Sequence, residues 1–190
     1  MPFKRTLIAV SALMLVAGVC LAGDTTRPAG DMEMPPMGPP DEMVNLRWLE
    51  GTWDVAMKSR MSDTIDIWTD AVGTAVYEFI LDGAVLKVTY QSEMMGMPFK
   101  GMMLQAFDRE LQQWQATWVD NMSSRLSIYT GHDDGQRLVL TGEDIYMGEK
   151  LTTRITSIKT SEIGFDWTME HSADGGQTFW TSATATYVKR

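Results

Sequence analysis

The chain has 190 residues, with 25 Asp+Glu against 16 Lys+Arg and a formal net charge of -9. That length suits one domain with a hydrophobic core of its own. The acidic balance argues against nucleic acid and anionic membrane surfaces as partners, because both need a basic footprint.

The first segment reads as an address. Lys4 and Arg5 form a basic start, an apolar run follows from Leu7 to Leu21, and the small residues Ala22 and Gly23 precede the first acid, Asp24. That order is a secretory signal peptide over residues 1–23, cleaved after Ala22 or Gly23. The run is shorter than the roughly 20 residues of a membrane span, and no second run follows. The expectation is an extracytoplasmic protein, periplasmic or secreted, with no transmembrane span in its mature chain. Cleavage removes Cys20, the only cysteine, and with it disulfides, thiol catalysis and thiolate metal sites. Lipid anchoring at Cys20 is the alternative. It is disfavoured by Val19, which stands where a lipidation site wants a small residue.

Residues 24–42 hold five of the seven prolines and no apolar period, which predicts a disordered or extended Pro/Met-rich tether. Met43, Leu46 and Leu49 then recur at helical spacing, so residues 43–49 read as a short helical turn ended by Gly51. From Thr52 onward the pattern is short segments rich in Thr, Val, Ile, Trp and Tyr. The candidate strands are 52–61, 65–69, 72–81, 84–92, 98–107, 112–120, 124–130, 136–142, 150–159, 163–171 and 177–188. Asp133-Asp134-Gly135 and Ala173-Asp174-Gly175-Gly176 suit hairpin turns. Met94-Met95-Gly96-Met97-Pro98 reads as a hairpin loop. Residues 43–190 are therefore predicted to be all-β: a roughly ten-stranded antiparallel barrel, with an open sandwich as the alternative.

Period-two alternation predicts which faces turn inward. Trp114, Ala116, Trp118 and Asp120 share one face. Phe165, Trp167, Met169 and His171 share another, and Phe179, Ala183, Ala185 and Tyr187 a third. Seven tryptophans are many for this length. Large rings either fill a wide interior or line a cavity for an apolar ligand. Asp120 and His171 end apolar faces and are placed near a rim. The candidate ligand-binding residues are Trp114, Trp118, Asp120, Phe165, Trp167, Met169 and His171.

Two stretches carry a family resemblance. Leu49-Glu50-Gly51-Thr52-Trp53-Asp54-Val55 resembles the Gly-x-Trp start of the first strand in lipocalin-like (calycin) barrels. Next come Glu78-Phe79-Ile80-Leu81-Asp82-Gly83, Met97-Pro98-Phe99-Lys100-Gly101, Phe107-Asp108 and Trp118-Val119-Asp120-Asn121-Met122-Ser123. In that order they resemble the bacterial domain-of-unknown-function family number 1579, over about residues 43–190. The resemblance implies a closed calycin-like barrel. Related barrels carry fatty acids, retinoids or haem, so a binding cavity is what the fold suggests. The family's Gly-Tyr-Asp at the fourth strand is Ala106-Phe107-Asp108 here, with the acid kept.

Site chemistry divides the remaining readings. Asp120 is either a ligand anchor at the barrel mouth or a cap on backbone amides before Asn121, and the cap is favoured. His132, in Gly-His-Asp-Asp-Gly, reads as a solvated hairpin tip. His171 is placed like the iron-ligating histidine of nitrobindin-type haem barrels, but nothing else marks a haem site. Two histidines cannot make a three-histidine zinc site. The sixteen methionines cluster as Met32/Met34/Met37, Met94/Met95/Met97 and Met102/Met103, which suits soft Cu(I) or adaptable apolar filling. No Gly-x-Ser-x-Gly elbow and no phosphate-cradling glycine loop occurs. Asp133-Asp134 and Glu143-Asp144 read as turns. No catalytic residue, metal site or cofactor is assigned. The first reading is a non-catalytic barrel binding a small apolar ligand inside. The second is an enzyme or a metal- or haem-handling protein using rim residues or methionines. The third is a filled barrel that meets a protein partner through its outer surface.

Overall fold

The computed structural model describes residues 36–94, 96–146 and 148–190. The signal segment 1–23 and most of the tether 24–42 lie outside them. Ten antiparallel strands close into a barrel: β1 (Gly51–Ser59), β2 (Thr69–Ile80), β3 (Val85–Met94), β4 (Met97–Asp108), β5 (Gln113–Asp120), β6 (Ser127–Asp133), β7 (Arg137–Tyr146), β8 (Glu149–Ser161), β9 (Gly164–Ser172) and β10 (Trp180–Lys189). Each pairs with its sequence neighbours, and β1 pairs with β10 from Trp53↔Lys189 to Ser59↔Ala183 to close the ring. Among the described residues no helix is long and apolar enough to cross a membrane.

The segment before β1 is a 3-10 helix, Asp41–Leu49. Its sequence explains why. A 3-10 helix has three residues per turn, so positions three apart line up along one edge. Met43, Leu46 and Leu49 are spaced by three, and all are buried. They close one end of the barrel, called here the helix end. Trp48 lies edge-on to Trp53 and Phe165, with ring centroids 6.1 and 5.5 Å away. Phe165 in turn stacks on Tyr187 at 4.1 Å. The Trp53 indole N–H donates to the Leu49 carbonyl at 2.7 Å, and Lys189 Nζ donates to the Trp48 carbonyl at 2.9 Å. Arg47 lies over the Phe79 ring at 4.0 Å.

The strand readings need four corrections. Residues 65–69 form no strand of their own; Thr69 opens β2, and Arg60 and Trp68 bracket a loop. His132 lies within β6, paired with Val139, and the turn begins one residue after Asp133. Glu143 and Asp144 are not a turn: β7 runs on to Tyr146, with Asp144 facing inward. Phe179 does not share the face of Ala183. The register slips between Thr181 and Ala183, and Phe179 sits outside, with Arg154 over its ring at 3.9 Å.

Trp53 carries two jobs at the helix end, volume and a donor. Trp53→Ala should cost roughly 3–5 kcal/mol of unfolding free energy, as large aromatic-to-alanine core changes do. Trp53→Phe keeps most of the volume but strands the Leu49 carbonyl, for about 1–3 kcal/mol. Urea denaturation of the two variants reads both values. No loss in Trp53→Phe would show that the hydrogen bond contributes nothing, and equal losses in the two variants would show that the ring volume contributes nothing beyond it.

Candidate functional site

Alternation continues up each strand to the opposite, far end of the barrel. There the inward side chains include Met57, Phe99, Met103, Trp118, Asp120, Asp144 and Tyr146, and all are only partly buried. The large rings reach inward by lying on neighbouring glycines. Trp118 crosses Gly101, where an added Cβ would stand within van der Waals overlap of the indole, and Tyr129 crosses Gly142 in the same way. Trp118 also stacks with Phe99 at 6.4 Å.

The predicted site residues fall into three groups. Trp114 and Phe165 are fully enclosed; Trp114 packs edge-on to Phe107 at 5.3 Å, and Phe165 belongs to the aromatic cluster at the helix end. Trp118, Trp167 and Met169 face inward and keep part of their surface accessible. Asp120 and His171 are the polar members, and each has its own chemistry.

Asp120 ends β5. Its Oδ1 accepts from the amides of Met122 and Ser123 at 2.9 and 2.7 Å, and its Oδ2 accepts from the Trp118 indole at 3.0 Å. Partial burial pushes its carboxyl up, but the donors from Ser123, Trp118 and Met122 outweigh it and hold the pKa below the ordinary value. The side chain is a turn cap that also aims Trp118.

His171 ends an apolar face as expected, yet it is not at an exposed rim. Tyr146 stacks on it at 5.1 Å and Trp180 leans over it at 5.2 Å, which leaves it 2% exposed. Nδ1 shares a 2.9 Å hydrogen bond with the Thr153 hydroxyl, and Nε2 is buried with no partner. Burial lowers its pKa; nearby Asp144 opposes that but does not overcome it. The imidazole is therefore neutral at pH 7. Enclosure of Nε2 leaves an iron no approach, which removes support from the haem reading.

Asp144, read from sequence as a turn residue, is a polar hub. It accepts from Tyr129 at 2.9 Å, Ser127 at 3.1 Å and Arg125 at 2.8 Å. A cleft of about 210 Å³ opens beside it, between Arg125, Leu126, Ser127, Glu143, Ile145 and Lys150. Tyr90 and Gln105 were also not singled out. Both face inward, both are buried, and the Tyr90 hydroxyl and Gln105 Nε2 lack partners. Alternation of Leu86, Val88 and Tyr90 carries the inward signal for the tyrosine; nothing in the sequence marks its missing partner.

Among the described residues no three His, Cys, Asp or Glu side chains gather. Met102 and Met103 are adjacent in β4, so they point to opposite faces and cannot share one ion. Met32, Met34 and Met95 lie outside the described residues.

The histidine sets a pH dependence. Its folded pKa is below 6.5, so the unfolded chain binds the proton more readily. Stability contributed by the neutral ring is present above 6.5 and lost as pH falls from there through the folded pKa. Urea unfolding between pH 7 and pH 5 should show this slope, and His171→Gln should remove it. An unchanged slope in the variant would place its origin elsewhere.

Among solved structures, the fold is similar to the crystal structure of Rv2717c from M. tuberculosis. The TM-score is 0.58 at 12% identity, covering 80% of this chain and 99% of that one. A redesigned beta barrel, b11L5F_LGL, matches at a TM-score of 0.41 and 15% identity, over 75% of this chain and 92% of that one. No curated protein matches the sequence. The family described as "Protein of unknown function (DUF1579)" matches residues 39–190, and the chain belongs to it.

Proposed function

We propose that this protein binds a small, largely apolar molecule inside the barrel, in the half remote from the 3-10 helix. One observation carries the reading. Met57, Phe99, Met103, Trp118, Trp167 and Met169 all point into a closed barrel, yet each keeps accessible surface. Side chains that exist only to fill a core are packed to near-crystal density and lose that surface. Apolar and aromatic linings with a few polar groups are what small-molecule sites are made of. The methionines suit the task, since an unbranched thioether adapts to the shape of its neighbour. We propose further that residues 1–23 export the protein, so the ligand is met outside the cytoplasm.

N-phenyl-1-naphthylamine is a neutral dye that brightens in apolar surroundings. It should bind the protein saturably at low micromolar concentration. Ala71→Phe places bulk at an inward position of β2 near the far end and should abolish the signal with little change in Tm. Absence of dye binding, or undiminished binding in Ala71→Phe, would overturn the reading. In that case the outer face becomes the functional surface. Met102 pairs with Val119, and Leu104 with Thr117, which in turn pairs with Ile128, on an uncharged stretch of β4–β6. Cell fractionation with N-terminal sequencing tests export, and an intact Met1 on cytosolic protein would end that proposal.

A further inference from the structure

The inward positions on β10, β1 and β2 towards the far end are mostly small. Ala71 pairs with Met57, which pairs with Ala185, and Gly73 pairs with Val55. Tyr90 of β3 leans over this wall. Its ring crosses β2 at Gly73, and a methyl group built on that glycine would stand 2.7 Å from the hydroxyl. The next inward position on β2 towards the far end is Ala71. Tyr90 is 6% exposed, and although the Ser92 hydroxyl is its nearest polar neighbour, its own hydroxyl makes no well-formed hydrogen bond among the described residues. Buried polar groups in native folds are nearly always satisfied, by protein, water or ligand. Half-buried Ser92 and Phe99 flank the ring, Phe99 at 6.0 Å.

Charge then limits what can satisfy it. Among the described residues the charged side chains at inward positions of this end are carboxylates: Asp120, Asp144 and, at the exposed start of β8, Glu149. The nearby cations are engaged or turned away. Arg125 is held by Asp144 and the Ile145 carbonyl, and Arg60 by the Thr181 carbonyl. Lys58, Lys100 and Lys150 occupy outward positions. An anionic head group would lose its water here beside these carboxylates and gain no cation. A neutral oxygen suffers neither penalty. Burial raises the Tyr90 pKa, which keeps the hydroxyl protonated and a donor.

We infer that the ligand is a neutral apolar molecule carrying a carbonyl or hydroxyl oxygen, selected over free carboxylic acids, and that Tyr90 is the residue that donates to that oxygen. The inference rests on the ligand-binding reading above. The test is displacement of N-phenyl-1-naphthylamine from the full chain at pH 7.5 by 2-tridecanone and by dodecanoate. The ketone should compete at least about tenfold better. Tyr90→Phe should weaken the ketone about fivefold to tenfold, the worth of one buried hydrogen bond. It should not lower Tm, and the dye's own Kd is measured in the variant so that the ketone's loss is read relative to it. Dodecanoate competing as well as the ketone, or a ketone affinity indifferent to Tyr90→Phe, would overturn the inference while leaving the ligand-binding reading intact. A dye that never binds removes both.

Discussion

Closure of the sheet is the constraint on which the rest of the molecule depends. β1 pairs with β2 on one side and with β10 on the other. In an open sandwich both β1 and β10 would present unpaired amides and carbonyls along an edge. Closing the ring removes those edges and gives every strand an inside. From then on each second residue must be placed in a shared, bounded volume, and the identity of that residue decides whether the volume is filled or hollow.

Filling is done differently at the two ends. At the helix end it is done by a separate piece of chain: the 3-10 helix lays Met43, Leu46 and Leu49 across the opening, and Trp53, Phe165 and Tyr187 interlock beneath it. Towards the far end the large rings lie along the wall instead. Trp118 rests on Gly101, Tyr129 on Gly142 and Tyr90 on Gly73. A ring laid on a neighbouring glycine takes its space from that glycine's missing side chain and not from the barrel axis.

Much of this was legible in the sequence. Alternation in 112–120 and 163–171 placed Trp114, Trp118, Phe165, Trp167 and Met169 inward, because the two-residue period survives wherever pairing is regular. The reading failed where pairing is irregular or where a turn-forming residue serves a ladder. The register slip at Thr181/Ala183 moved Phe179 to the outside, and a slip leaves no mark on composition. Gly142-Glu143-Asp144 has turn chemistry, yet Gly142 leaves room for the Ile128 carbonyl and the Tyr129 ring, and Asp144 receives Tyr129, Ser127 and Arg125. The glycine–aromatic pairs were invisible for a related reason: they join residues on adjacent strands, and single-strand periodicity carries no register between strands. The family resemblance and the Gly-Thr-Trp start were readable because they are local strings.

The polar groups inside the barrel sort into those already spoken for and those that are free. Thr153 and His171 stand at the 2.9 Å expected of a nucleophile and its base, but the threonine is 0% and the histidine 2% exposed, so no substrate reaches the pair. It behaves as a satisfied core contact that fixes one ring nitrogen. Asp120 is used up capping its turn, and Asp144 holds three side chains in place. What remains among the described residues is the Tyr90 hydroxyl, Gln105 Nε2 and His171 Nε2, on neutral side chains, and Asp133 Oδ2, on a carboxylate at the helix end of β6. Towards the far end the uncommitted inner polar atoms are thus neutral, and the carboxylate oxygen without a donor, on Asp133, sits at the opposite end, where burial pushes its pKa up.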